Sequence, residues 1–434
     1  MQARKRIVLL LAAGVALACA LGGAWCWFGG SPFDPQPLRR YYHSARLPSA
    51  QPVAAGTVQA GIDSATDYIR RFNLPSGQFV YLVNTDPALA VSGGYSVLRH
   101  AGTIYALGMS QSVRPDLRTV QVMQRAVEFL RRCCIARLDD EGVLAVWEPE
   151  ELVRSSGPRR YPLGGAGLGL LALTSLESLR AGSVPLGEMK GLAAFGHFMQ
   201  GFSGGFDGDY VPSQGGKWPL KVLYYPGEMV LGWLSLYEVQ PDPALLDWAV
   251  GALTYLARQR AREGAAPADH WALLATARLF AIADRGKVPI PRQALLHHAL
   301  QICHQMLEGN TSAELPAMKG SLVRLGVVTP TATRLEALLA ALTFLPADEP
   351  IRPHIEAAVH RGIEFLLRAQ VKDGPYAGGM PTAITRLPYD GTERVREFND
   401  RATEIRIDYV QHSLSALVQY LRWTADRPHS AATP

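Results

Sequence analysis

Five short segments carry side chains able to move protons or hold an anion. They are Arg99-His100, Tyr225-Pro-Gly-Glu228, Asp269-His270-Trp271, Arg334-Leu-Glu336 and Arg406-Ile-Asp408-Tyr-Val-Gln411-His412. In the last of these, Asp408 and His412 stand four apart, so on a helix they share a face and can pair, with Gln411 beside them. A carboxylate-oriented imidazole is a working general acid or base. Glu228, Asp269, Asp408 and His412 are therefore the catalytic candidates. Arg99, His100, Tyr225, His270, Arg334, Glu336, Arg406 and Gln411 are candidates for holding a substrate. Tyr210 and Trp218 join them, because aromatic faces stack on the CH faces of sugars. Asp207 and Asp209 lie in the same glycine-rich turn and suit a sugar hydroxyl or a cation.

Each segment also has a purely structural reading. Pro226 suits a first helical turn, where Glu228 can reach free backbone N–H groups. Asp269 fits an N-cap. Arg334 has no such role, since no helix start needs an arginine there.

The elements that must position these residues alternate between two kinds of helix. Amphipathic segments occupy 61–73, 119–137, 243–262, 291–308 and 350–370, with apolar residues at helical spacing. Segments apolar around most of their girth occupy 95–110, 163–180, 224–239, 268–284, 329–345 and 406–423. Helices of that second kind are buried ones. Gly102, Gly108, Gly167, Gly169, Ala275 and Ala340 would let such helices approach closely. Glycine- and aromatic-rich stretches near 76–81, 142–147, 204–210 and 374–379 join one kind to the other. The pattern predicts an all-α fold, an (α/α)6 barrel of six helical hairpins, with an open helical solenoid as the alternative. In a ring of parallel inner helices the five segments, each near a helix start, meet at one mouth. Helix dipoles there favour anionic groups.

That architecture, with Arg99-His100-Ala-Gly, Tyr225-Pro-Gly-Glu228, Asp269-His270-Trp271, Thr331-Ala-Thr-Arg334-Leu-Glu336 and the 406–412 segment, resembles the six-hairpin glycosidase superfamily. More weakly it is similar to the catalytic region of glucuronyl C5-epimerases. The resemblance spans residues 61–425. It implies an α/α toroid and a glycan substrate, and it transfers no catalytic pair.

The chain has 434 residues and a formal charge of +5, of which Arg4, Lys5 and Arg6 supply three units. With no long basic run, nucleic acid is not an expected partner. Ile7 to Phe28 is uncharged and spans roughly 33 Å as a helix, against a hydrocarbon core of roughly 30 Å. Residues 1–30 therefore read as a signal anchor, one transmembrane helix through residues 7–28. The basic flank places the rest of the chain outside the bacterial inner membrane, in the periplasm. A cleaved signal peptide or a lipidated Cys19 is the rival reading. Residues 31–60, with five prolines, read as a linker without regular elements, and 426–434 as a disordered tail.

Several sharper motifs drop out. Gly201-Phe-Ser-Gly-Gly205 matches a nucleophile elbow without the parallel sheet it needs. Cys303-His304 lacks partners at zinc spacing. No cofactor and no metal set is expected, and the oligomeric state is left open. The function expected is a membrane-anchored enzyme on an envelope or exported polysaccharide or oligosaccharide. Two chemistries fit: glycoside hydrolysis, or epimerisation or elimination at a uronic acid. The alternative is a barrel that binds a glycan or a partner protein without catalysis.

Overall fold

A computed structural model describes residues 35–426 except 140, 154–156, 220, 265 and 309–314. The expected anchor and the tail from 427 onward lie outside the described residues. Among the described residues no helix is long and apolar enough to cross a membrane.

Twelve of the described helices form two concentric rings. The outer ring is α2 (Ala55–Arg71), α4 (Leu117–Cys134), α6 (Leu186–Met199), α8 (Pro243–Glu263), α10 (Arg292–Glu308) and α12 (Arg352–Ala369). The inner ring is α3 (Val97–Ser110), α5 (Leu163–Leu179), α7 (Tyr225–Val239), α9 (His270–Gly286), α11 (Val328–Leu342) and α14 (Ile407–Ala425). Outside the rings lie α1 (Gln36–Ser44), α13 (Glu393–Ala402) and a single helical turn at Glu150–Val153. Each inner helix packs on the next, and α14 packs back on α3, so the ring is closed and the solenoid alternative fails.

The two rings follow from composition. Outer α4 buries Val122, Met123, Ala126, Val127 and Leu130 and turns Arg125 and Arg132 outward. Asp116 caps it, accepting from the Arg118 N–H. Inner α5 is buried without a break from Leu163 to Thr174, as a helix without a polar face must be. Outer α6 has no clear apolar stripe, which is why no segment at 186–199 stands out in the sequence. Its close contacts run through glycine instead. A Cβ on Gly191 would strike Leu144 and the Gly142 carbonyl, and one on Gly196 would strike Met229.

The turns that lead from outer to inner helices repeat one contact. Gly77, Gly204, Gly320 and Gly378 all have positive φ, and a Cβ on any of them would overlap a backbone carbonyl of the next outer helix. The partners are Arg125, Gly251, Arg361 and, for Gly378, Ser64 of the first outer helix, which closes the outer ring. Short strands stitch the same end of the molecule. β1 (Leu82–Asn84) pairs antiparallel with β7 (Glu404–Arg406), so the first turn lies beside the start of the last inner helix. β2 (Ile135–Arg137) and β3 (Leu144–Val146) form a hairpin, and β4 (Tyr161–Pro162), β5 (Asp207–Val211) and β6 (Gly216–Pro219) a small sheet.

The linker expectation needs correcting. Residues 36–44 form α1, and 55–60 belong to the first outer helix. Pro37 stands in the first turn of α1, where its missing N–H costs nothing. The helix is held to the barrel by Arg39 on Glu349, at 2.7 Å, and by Tyr42 on His304, at 2.8 Å.

Gly378→Ala would need both a left-handed backbone and a displaced carbonyl. It should cost about 2 kcal/mol or more in denaturant unfolding. Gly374→Ala, also at positive φ but with open space around it, should cost less. Equal losses would refute the ring-closing role of Gly378.

Candidate active site

The starts of the inner helices open into one cavity of about 1270 Å³. Of the residues singled out in the sequence, Arg99, Tyr225, Glu228, His270, Arg334, Arg406, Asp408, Gln411 and His412 line it. These side chains come from five inner helices and the turns that enter them, so residues remote along the chain do converge.

The others sit elsewhere. Asp269 is 0% exposed and spent on structure: Oδ1 accepts the Ala272 N–H and Oδ2 pairs with Arg260 at 2.7 Å. Arg260 in turn reaches His298 Nε2 at 3.0 Å. A catalytic Asp269 is therefore corrected to a capped, paired structural carboxylate behind the cavity wall. His100 is sealed between the Tyr95 hydroxyl at 2.7 Å and the Ala126 carbonyl at 2.9 Å. Burial pulls its pKa down to about 4, so it stays a neutral core imidazole. Tyr210 packs on Tyr161 and Phe198, and Trp218 lies under the Arg160 guanidinium. Neither lines the cavity, because the β5–β6 hairpin carries them to its side.

Asp408 does not orient His412 as the i, i+4 spacing predicts. Two arginines hold it instead. Arg406 is bidentate, at 2.6 Å to Oδ1 and 2.9 Å to Oδ2, and Arg99 reaches Oδ2 at 3.1 Å. Arg99 also donates to the Tyr81 hydroxyl at 2.6 Å. The carboxylate thus fixes two guanidinium groups at the mouth.

The carboxylate that does meet His412 is Glu336, from the neighbouring inner helix, at 2.8 Å to Nδ1. Burial works against charge on His412, but Glu336 and its hydrogen bond outweigh it and hold the imidazole above its ordinary range. His270 lies against His412, ring centroids 5.5 Å apart. It is 2% exposed, and neither ring nitrogen has a hydrogen-bond partner. Burial and the neighbouring His412 keep it neutral.

Glu228 is the third unusual group. It is 6% exposed, and its Oε2 has no partner. Burial first, and the nearby Asp269 charge second, raise its pKa to about 8. It is consequently a proton-bearing carboxyl near neutrality. Gly164 makes room for it, since a Cβ there would overlap Glu228 Oε2 and the Tyr225 ring. Arg334 faces the cavity beside Tyr224. No carboxylate among the described residues pairs with it, and its Nε is unbonded.

Sequence reasoning missed α13, whose Arg394, Glu397, Phe398, Asp400 and Arg401 also line the cavity. Its Thr392 cap and charged composition mark a helix, but nothing local places that helix over the mouth. Tyr224 and Glu148 are further lining residues.

No protein-family profile matches the chain, and no curated protein matches it either. Solved structures do. The cellobiose 2-epimerase of Spirochaeta thermophila superposes with a TM-score of 0.60 at 14% identity, covering 90% of this chain and 98% of that one. A D-mannose isomerase gives 0.60 at 9% identity, covering 85% and 98%. A polysaccharide lyase gives 0.55 at 12% identity, covering 86% and 99%. The fold shared with these structures is the α/α toroid. The resemblance read from the helix pattern is thereby confirmed at the level of architecture.

The raised pKa of Glu228 has a consequence for stability. The folded state holds its proton more tightly than the unfolded chain, where the carboxyl titrates at its ordinary value. The stabilisation is full below about pH 4.5 and is lost as pH rises through about 8. Glu228→Gln keeps the neutral form at every pH. Its melting temperature relative to wild type should rise between about pH 5 and pH 9. Parallel pH profiles would show that Glu228 does not carry the proton.

Proposed function

We propose that this protein is a carbohydrate-active enzyme that transfers a proton at the carbon beside the carboxylate of an acidic sugar, by epimerisation or β-elimination. The observation that carries the proposal is the way the charges at the mouth are used. Of the carboxylates nominated in the sequence, Asp269 and Asp408 are tied to arginines, which leaves Glu228 without a nominated carboxylate partner for hydrolysis across the glycosidic bond. What remains is the His412–Glu336 dyad, the unpaired Arg334 guanidinium and the proton-bearing Glu228.

These parts suit one reaction. Arg334 binds the sugar carboxylate and stabilises the charge that grows on it as the adjacent C5–H bond breaks. The His412 imidazole, oriented by Glu336, takes the C5 proton when neutral. In elimination the electron pair of that bond becomes the C4=C5 double bond, the C4–O bond breaks, and Glu228 protonates the departing oxygen. In epimerisation Glu228 instead gives its proton to the opposite face of the carbanion, and solvent exchange resets both groups. The cavity is large enough for an oligosaccharide portion of a polymer. The fold's neighbours include an epimerase, an isomerase and a polysaccharide lyase, which supports carbohydrate chemistry of this general kind. A purely binding barrel fits less well, because binding gives no reason to bury Glu228 Oε2 and both His270 nitrogens without partners.

The location belongs to the proposal as well. The basic flank and the apolar stretch of residues 7–28 support a single-pass anchor in a bacterial inner membrane, with the barrel in the periplasm acting on envelope or exported polysaccharide.

The full-length protein should act on uronate-containing polysaccharides and not on neutral ones. Elimination would be read from the ultraviolet absorbance of the unsaturated uronate, and epimerisation from solvent deuterium incorporated at C5. His412→Ala should lower kcat about 100-fold or more. Arg334→Ala should act mainly on KM for the acidic sugar. Turnover of neutral glycans only, or full activity in both variants, would refute the reading.

A further inference from the structure

His270, Glu336 and His412 form a set that the proton-transfer reading does not exhaust. One ligand atom from each lies within 4.8 Å of the other two. Two imidazoles and a carboxylate are a common three-residue donor set for zinc, which binds at about 2.0–2.2 Å and leaves a fourth position for water or substrate. Tetrahedral zinc holds its ligand atoms about 3.4 Å apart, so a separation near the 4.8 Å limit closes by about 1.4 Å on binding.

The surroundings favour a cation over a void. His270 is nine-tenths or more buried, yet neither ring nitrogen has a hydrogen-bond partner. Leaving such an atom unsatisfied is costly, and a metal–nitrogen bond would recover that cost. The three side chains stand on three successive inner helices, α9, α11 and α14, whose packing in the closed ring holds them together. Glu336 is 2% exposed and its Oε2 bonds His412 Nδ1 at 2.8 Å, so two of the three side chains are already in contact. His270 and His412 both line the cavity, so the open position faces the substrate space.

We infer that His270, Glu336 and His412 bind a divalent zinc-like cation, and that the bound cation arrests proton transfer by occupying the imidazole lone pair of His412. Zinc displaces the proton that His412 and Glu336 hold between them, and that proton is released to solvent. The arrest rests on the function proposed above, whereas the binding does not.

Isothermal titration of the full-length protein with zinc chloride should give one site per chain of micromolar or tighter affinity. His270→Asn and Glu336→Gln should each weaken that site at least about tenfold. Zinc should raise the melting temperature of the wild type and not of either variant, with circular dichroism establishing that both variants are folded. Magnesium chloride, which prefers oxygen ligands, should do neither. Equal zinc affinity in wild type and both variants would place the binding elsewhere and overturn the proposal. In the activity arm, one equivalent of zinc should suppress turnover and a chelator should restore it. Zinc-dependent activation would overturn the arrest. Absence of turnover on every uronate polymer would refute the function while the titration still decides the site.

Discussion

Everything at the mouth depends on how closely the first turns of the inner helices can approach. Glycine sets that distance. A Cβ on Gly167 would stand 2.5 Å from the Glu228 carbonyl carbon, one on Gly227 2.6 Å from the Ala272 nitrogen, and one on Gly102 2.7 Å from Gln411 Oε1. These contacts join α5 to α7, α7 to α9 and α3 to α14. Backbones at that range bring side chains from separate helices into one cavity and exclude enough water to perturb them. Larger residues would spread the ring and turn the cavity into a solvated funnel. Glycine inside a helix costs about 1 kcal/mol relative to alanine, so the ring gives up intrinsic helix stability for proximity.

The second constraint is the use of charge. Three acidic residues near the mouth have three different fates. Asp269 neutralises Arg260 in the core, Asp408 braces Arg99 and Arg406, and Glu336 orients His412. Among the described residues, only Glu228 has an unpaired carboxyl oxygen buried at the cavity. Burial without a counter-charge favours the neutral acid, so the same residue type supplies fixed anions and a proton donor within one site.

The rings were legible in the sequence because burial demands an apolar surface and exposure permits charge. α4, α8, α10 and α12 show the helical stripe, and the inner helices show its absence. Where packing ran through backbone, the signal vanished. The glycine-rich α6 presents no stripe, and the short, polar α1 and α13 bury little apolar surface. The prolines at 35 and 37 read as breakers, yet Pro37 stands where a helix accepts it.

At the site, residue type and position near a helix start were enough to nominate nine of the side chains that line the cavity. The sequence also determined the double ring itself, since hydrophobic periodicity is a local property of each segment. Partner choice was not local. Spacing paired Asp408 with His412, but across the ring Glu336 lies nearer to His412, and the arginines from 99 and 406 claim Asp408. Ring closure decided which carboxylate is spent and which imidazole is left bare, because electrostatic pairing acts over a few ångströms of space regardless of separation along the chain.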